Sequence, residues 1–406
     1  MKLERLVAIA CLTAACSSST TPAGDGGTHD QDGMTAMDAG PPGARLFVTS
    51  SGDATVRVFT LDDALDEVAK IPVCAAPAEV RATRDGKLVW TVCGPKDADA
   101  AQSPSQVAFI DVEKLAVVRT VDAGVKATHS YLAPDGRAWV CNDGSGDLTI
   151  IDPATFAAKN VLVGKGHHKA AFATDGAKGP LRFAYVSNLT DATISVLDPT
   201  GALVTSIPVA NVPHGIDYSF LSKRVYNCSG AADNSVEVIA TDGADAHTVV
   251  ARVPLAGARC SHLEVSPDGR YAWASQGAIG KLARIDVMTH AVDTFDGGPG
   301  PDWFAFLDGA VFAADTRAWS VAYLNTANGT TTLYETASNT GNDGGAVTGH
   351  RAIAAYGSWV FAPNEELGSY AVINAEHGHV HAVLGGMSRP KCATVAGGGQ
   401  ALPYPR

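Results

Sequence analysis

The chain has 406 residues, with 30 Lys plus Arg against 42 Asp plus Glu and a formal net charge of -12. A balance that acidic provides no extended basic footprint, so nucleic acid is not an expected partner. Only 18% of residues are charged, while Gly and Pro number 42 and 21, a composition that suits many short strands joined by tight turns.

At the start of the chain, Lys2 and Arg5 precede an apolar run from Leu6 to Leu12, and Thr13, Ala14 and Ala15 lead to Cys16. This is the layout of an export signal. The run is well short of the roughly 18 apolar residues of a membrane-spanning helix. Leu12-Thr13-Ala14-Ala15-Cys16 resembles the bacterial lipobox, with Thr13 where Leu is commoner. That resemblance implies a lipoprotein signal peptide over residues 1–15, lipidation at Cys16 and attachment to the membrane through that lipid. Ser17 stands where an Asp would hold the protein at the inner membrane. The expected location is therefore the outer membrane of the cell envelope, on its periplasmic or its surface side, with a plain secretory signal as the alternative. Residues 16–44 are Ser, Thr, Gly, Asp and Pro with few bulky apolar side chains, and they read as a flexible tether.

From residue 45 onward one phrase recurs eight times, a β run ending in an apolar residue and usually Asp or Asn. Its copies end at Phe59-Thr60, Ile110-Asp111, Ile151-Asp152, Leu197-Asp198, Ile239-Ala240, Ile285-Asp286, Leu324-Asn325 and Ile373-Asn374. A period of roughly 35 to 55 residues lies in the range of propeller blades. The fold class is accordingly all-β, a single closed β-propeller over residues 45–406, with eight four-stranded blades and seven as the alternative. Such a ring folds as one domain and is expected to be a monomer. The clearest copy, residues 183–219, has strands at Phe183–Ser187, Ala192–Leu197 and Leu203–Val209, and a further strand from His214.

This copy resembles the YVTN-type (YncE-like) β-propeller repeat, and so do the Asp-Gly turns at Ala133-Pro134-Asp135-Gly136 and Ser266-Pro267-Asp268-Gly269. The resemblance covers roughly residues 45 to 395. It implies a fold shared with quinoprotein and haem d1 propellers, and it leaves function open, because that architecture serves adaptors, lactonases and redox enzymes alike. The first blade begins with its second strand at Arg45, so its innermost strand is expected from the C-terminal Pro390–Val395, an exchange that removes open sheet edges.

In such repeats the innermost strands begin at the upper mouth of the central channel. Counting back from the Asp-Gly turns places Glu79, His129, Lys169, His262 and Asp302 in equivalent slots; strand alignment adds His214 and His350, and the C-terminal strand Lys391, for eight in all. Four of them are histidines in a chain with only 12, and His167 and His168 precede the Lys169 slot directly. Imidazoles gathered at a channel mouth suit a transition metal or acid-base chemistry. The metal candidates are His129, His168, His214, His262 and His350. Glu79, His167, Lys169, Asp302 and Lys391 are candidates for contacts to a ligand. Copper is favoured in an oxidising compartment, with zinc next. The plainer alternative is a polar channel lining.

Six cysteines remain beyond Cys11 and Cys16, an even number consistent with disulfides in an exported protein. Cys74 with Cys93 and Cys228 with Cys260 are the candidate pairs, and Cys141 with Cys392 is a poorer one. Thiolate ligation beside the histidines is the alternative. His377-Gly378-His379-Val380-His381 looks like a metal strip and equally like an ordinary turn around Gly378. The tryptophans are expected to pack between blades, and the loop 339–349 to overhang the upper face. The expectation for function is an envelope lipoprotein that binds a ligand, a metal or a protein partner through its upper face, and more a binding module than an enzyme. A metal- or haem d1-like-dependent oxidoreductase and a propeller lactonase are the alternatives.

Overall fold

The computed structural model describes residues 43–97, 102–210, 212–229, 234–337 and 352–398. The expected signal peptide, Cys16, the tether as far as residue 42, the loop 339–349 and His350 lie outside the described residues.

Eight four-stranded antiparallel sheets form an eight-bladed β-propeller, which sets aside the seven-blade alternative. Blade 1 combines Ala44–Ser50, Thr55–Thr60 and Glu67–Pro72 with the C-terminal strand Pro390–Gly397 as its innermost member. The exchange expected from the sequence therefore closes the ring, in a register that sets Leu46 against Val395 and Val48 against Ala393. Blades 2 to 8 each use four consecutive strands. Their innermost strands are Glu79–Ala82, Ala127–Leu132, Ala170–Thr174, Pro213–Ser219, Leu263–Val265, Pro301–Leu307 and Ala354–Tyr356.

Burial follows position in the blade. Second strands such as Ala138–Asn142 are buried throughout because blades cover both of their faces, whereas an outer strand such as Ala158–Leu162 is largely exposed. Trp90, Trp139 and Trp273, all on second strands, are fully buried. Trp139 packs in one cluster with Leu148 and Ile150 of its own blade and Ala184 and Val186 of the next, as expected for between-blade packing.

Two local devices aim the inner strands at the channel. The turn Ala133–Gly136 closes with the Gly136 N–H donating to the Ala133 carbonyl at 2.9 Å, and Gly136 takes a φ of 86° that disfavours other residues. At Gly215 a Cβ would lie 2.4 Å from the backbone nitrogen of Leu263, so only glycine lets the inner strands of blades 5 and 6 approach so closely. That approach brings His214 beside His262.

Cys74–Cys93 and Cys228–Cys260 are disulfides, as paired from the sequence. Cys141 and Cys392 do not pair and are buried as free thiols. Cys141 lies in the apolar cluster around Trp139 and Cys392 in another between-blade cluster, so packing claimed both.

Candidate functional site

Each histidine at the channel mouth is held by its Nδ1 atom. His129 Nδ1 lies 2.6 Å from Glu79 Oε1, and His167 Nδ1 lies 2.6 Å from Asp143 Oδ2. His262 Nδ1 lies 2.5 Å from Asp302 Oδ1, and His214 Nδ1 lies 2.6 Å from the Ser261 carbonyl. Carboxylate and carbonyl oxygens accept here, so Nδ1 carries a proton in each ring. The carboxylates are fixed in turn. Glu79 also accepts the Ser130 N–H at 2.7 Å, Asp143 accepts the His168 N–H at 3.0 Å, and Asp302 accepts the Ser261 hydroxyl at 2.9 Å.

The rings form a chain from blade 3, through the segment before blade 4, to blades 5 and 6. His129 Nε2 and His167 Nε2 are 3.0 Å apart. His167 stacks on His214 with centroids 5.1 Å apart and planes 21° apart, and His214 meets His262 edge-on at 5.1 Å. Trp303 reaches in from blade 7. Its indole is 4.5 Å from the His262 ring and 5.7 Å from the His129 ring, and Lys169 Nζ lies 4.0 Å above it.

Burial decides the protonation of this group. It is the largest influence on His129, His214 and His262, and it pushes each down to about 3, against the pull of Glu79 on His129 and of Asp302 on His262. Lys169 adds to the effect on all three. Burial also lowers Lys169 to about 8, opposed by Asp302, Glu264 and Glu79. For the carboxylates burial acts upward and loses. Arg81 and His129 bring Glu79 down to about 2, the His167 hydrogen bond and charge lower Asp143, and His262 and Lys169 lower Asp302. The result is neutral imidazoles at His129 and His262, each held by an ionised carboxylate, and a neutral His214 held by a backbone carbonyl.

The predicted residues divide accordingly. His129, His214, His262, Glu79, Lys169 and Asp302 come together. His167, expected only as a contact to a ligand, stands in the middle of the imidazole chain. His168, expected among the metal ligands, is fully buried and directs Nδ1 to the Ser187 carbonyl at 3.0 Å, with Nε2 unpartnered. Lys391 turns toward buried Glu365, 3.7 Å away. His350 lies outside the described residues. Among the described residues no group of three or more His, Cys, Asp or Glu side chains already converges as a metal site.

Sequence reasoning missed Asp143, Arg81 and the place of Trp303. Asp143 directly follows the second strand of blade 3, where nothing in the repeat marks it. Trp303 had one available signal, its place beside the Asp302 slot, but was expected between blades.

No protein-family model matches the chain, and no curated protein matches it. Among solved structures it is similar to apo AztD from Citrobacter koseri, at 15% identity over 87% of this chain and 98% of that one, with a TM-score of 0.63. It is also similar to the dihydro-heme d1 dehydrogenase NirN in complex with DHE, at 17% identity over 86% of this chain and 74% of that one, with a TM-score of 0.64. At these identities the likeness is one of fold, and it agrees with the β-propeller expected from the repeats.

Proposed function

We propose that this chain is an envelope-anchored β-propeller that binds a divalent transition metal, zinc or copper(II), at its channel mouth through His129, His167, His214 and His262. One observation carries the reading. Both His129 and His167 direct Nδ1 at carboxylates, which leaves their Nε2 atoms facing each other at 3.0 Å. Two imidazole nitrogens this close are held together by a proton or a cation between them. Nitrogens bonded to one ion at about 2.0–2.1 Å lie roughly 3 Å or slightly more apart. Histidines whose second nitrogen donates to a carboxylate are the usual outer-shell arrangement of metal ligands.

Charge supports a divalent ion. Glu79, Asp143, Glu264 and Asp302 act electrostatically in this cluster against Arg81 and Lys169, a formal excess of two negative charges. Cys141 and Cys392 are packed in apolar clusters, which removes the soft-ligand argument for copper(I). Trp303 packs against the rings of His129 and His262 and under Lys169 Nζ, a contact that favours a small ion over a macrocycle such as haem d1. A modest rotation of His214 or His262 supplies the third ligand.

In this reading the chain captures an ion and does not turn over a substrate. Cys16 carries the lipid that holds it at the outer membrane, and a partner protein in the envelope exchanges the ion with it. The test is the metal content of the full-length protein after exposure to zinc or copper(II) and gel filtration. Stoichiometric metal that is lost in the His129→Asn/His167→Asn variant supports the reading. A metal-free wild type, or a folded variant that keeps the ion, overturns it. For the anchor, the check is incorporation of labelled palmitate, expected to vanish in Cys16→Ala.

A further inference from the structure

Blade 8 carries a second group of histidines far from the channel in position and kind. Its outer strand, His379–Leu384, follows the turn that contains His377. Gly378 is the turn glycine, with a φ of 66° and its N–H donating to the Asn374 carbonyl at 2.9 Å. The turn thus accounts for Gly378 but not for the residues on either side of it.

The outer strand has a bulge. Val372 pairs with Ala382 and Ile373 with Val380, so His381 has no partner residue on the neighbouring strand. The same irregularity recurs in blades 1, 2, 4 and 5, where the bulged residues are Val68, Val118, Val204 and Val250. All four valines are more than 40% exposed. The fold at this point is therefore content with valine, and His381 is a departure that backbone geometry does not require. Its ring stands edge-on to Trp359 at 5.1 Å, and Nε2 lies 3.5 Å from the Asp63 carbonyl in blade 1. That anchors one imidazole at the seam between the last blade and the first.

The exposed ring of His379 lies 6.3 Å from that of His381, and the ring of His377 lies 6.1 Å from that of His379. Two imidazoles on one ion, each bonded at about 2.0–2.1 Å, hold their centroids roughly 5 to 6.5 Å apart, depending on the angle at the ion. We propose that His379 and His381 form a solvent-accessible, bidentate site for a borderline divalent transition ion such as nickel, copper(II) or zinc, with water in the remaining positions. The site stands independently of the channel. It is open to a large or tethered metal source, which the buried channel histidines cannot meet.

That difference supplies the test. Untagged full-length protein is applied to immobilised nickel, which reads exposed imidazoles only, and is eluted with an imidazole gradient. Wild type is expected to be retained, and His379→Ala or His381→Ala to elute at several-fold lower imidazole. His377→Ala is expected to have the smaller effect. These side chains lie on an outer strand, and unchanged melting temperatures verify that the variants are folded. A wild type that flows through, or a His379→Ala/His381→Ala variant retained as strongly as wild type, overturns the proposal. Neither result bears on the channel, which is assayed by metal carried through gel filtration.

Discussion

Replacing Asp143 by Asn probes the channel without touching an imidazole. In the wild type Asp143 Oδ2 accepts the proton of His167 Nδ1 at 2.6 Å, and Oδ1 accepts the His168 N–H at 3.0 Å. Asn keeps its oxygen for the His168 N–H and turns its NH2 group toward His167. A donor now faces Nδ1, so His167 adopts the other tautomer and carries its proton on Nε2. That is the atom 3.0 Å from His129 Nε2, and a protonated nitrogen cannot bind a metal. Loss of such an outer-shell carboxylate typically weakens metal binding about 10- to 100-fold, or roughly 1.4 to 2.7 kcal/mol. The fold is expected to survive because the substitution is isosteric and keeps the backbone contact. The assay is competition for zinc or copper(II) against a chelator of known affinity, with a thermal melt as control. A folded Asp143→Asn variant whose affinity stays within about twofold of wild type would refute the tautomer argument and the role of His167 as a ligand.

Four further outcomes are expected. His214 has its folded value pushed below that of the unfolded chain, so its stabilisation is present above about pH 6.5 and declines as the pH falls toward 3, at up to about 1.4 kcal/mol per pH unit; denaturant unfolding at pH 7 and 5.5 should show a shallower loss for His214→Asn. Trp303 lies against two of the proposed ligands, so metal should change the intrinsic fluorescence and Trp303→Phe should remove most of that change; an unaltered response in the variant would place the ion elsewhere. Trp139→Ala empties a fully buried site between blades and should cost about 3 to 5 kcal/mol by denaturant titration. Cys74→Ser opens a disulfide with a sequence separation of 19 and should cost about 2 to 4 kcal/mol, read as a lower melting temperature that reductant no longer changes further at that bond.

The sequence by itself determined the ring. Strand periodicity, Asp-Gly turns and the missing first strand are local or nearly local signals, and they fixed the blades and the closure of the ring by the C-terminal strand. Both disulfides were legible as well, because strand position put each pair at neighbouring strand ends. Tertiary structure alone decided the chemistry of the mouth. His167 and His168 are adjacent just before an inner strand, where successive side chains diverge, and only packing sent one to Asp143 and the channel and the other to Ser187. Asp143 and Trp303 become part of the site through contacts between blades, which no repeat unit encodes. A repeat specifies its own backbone, whereas the partner of each buried polar atom is set by whichever blade faces it across the channel.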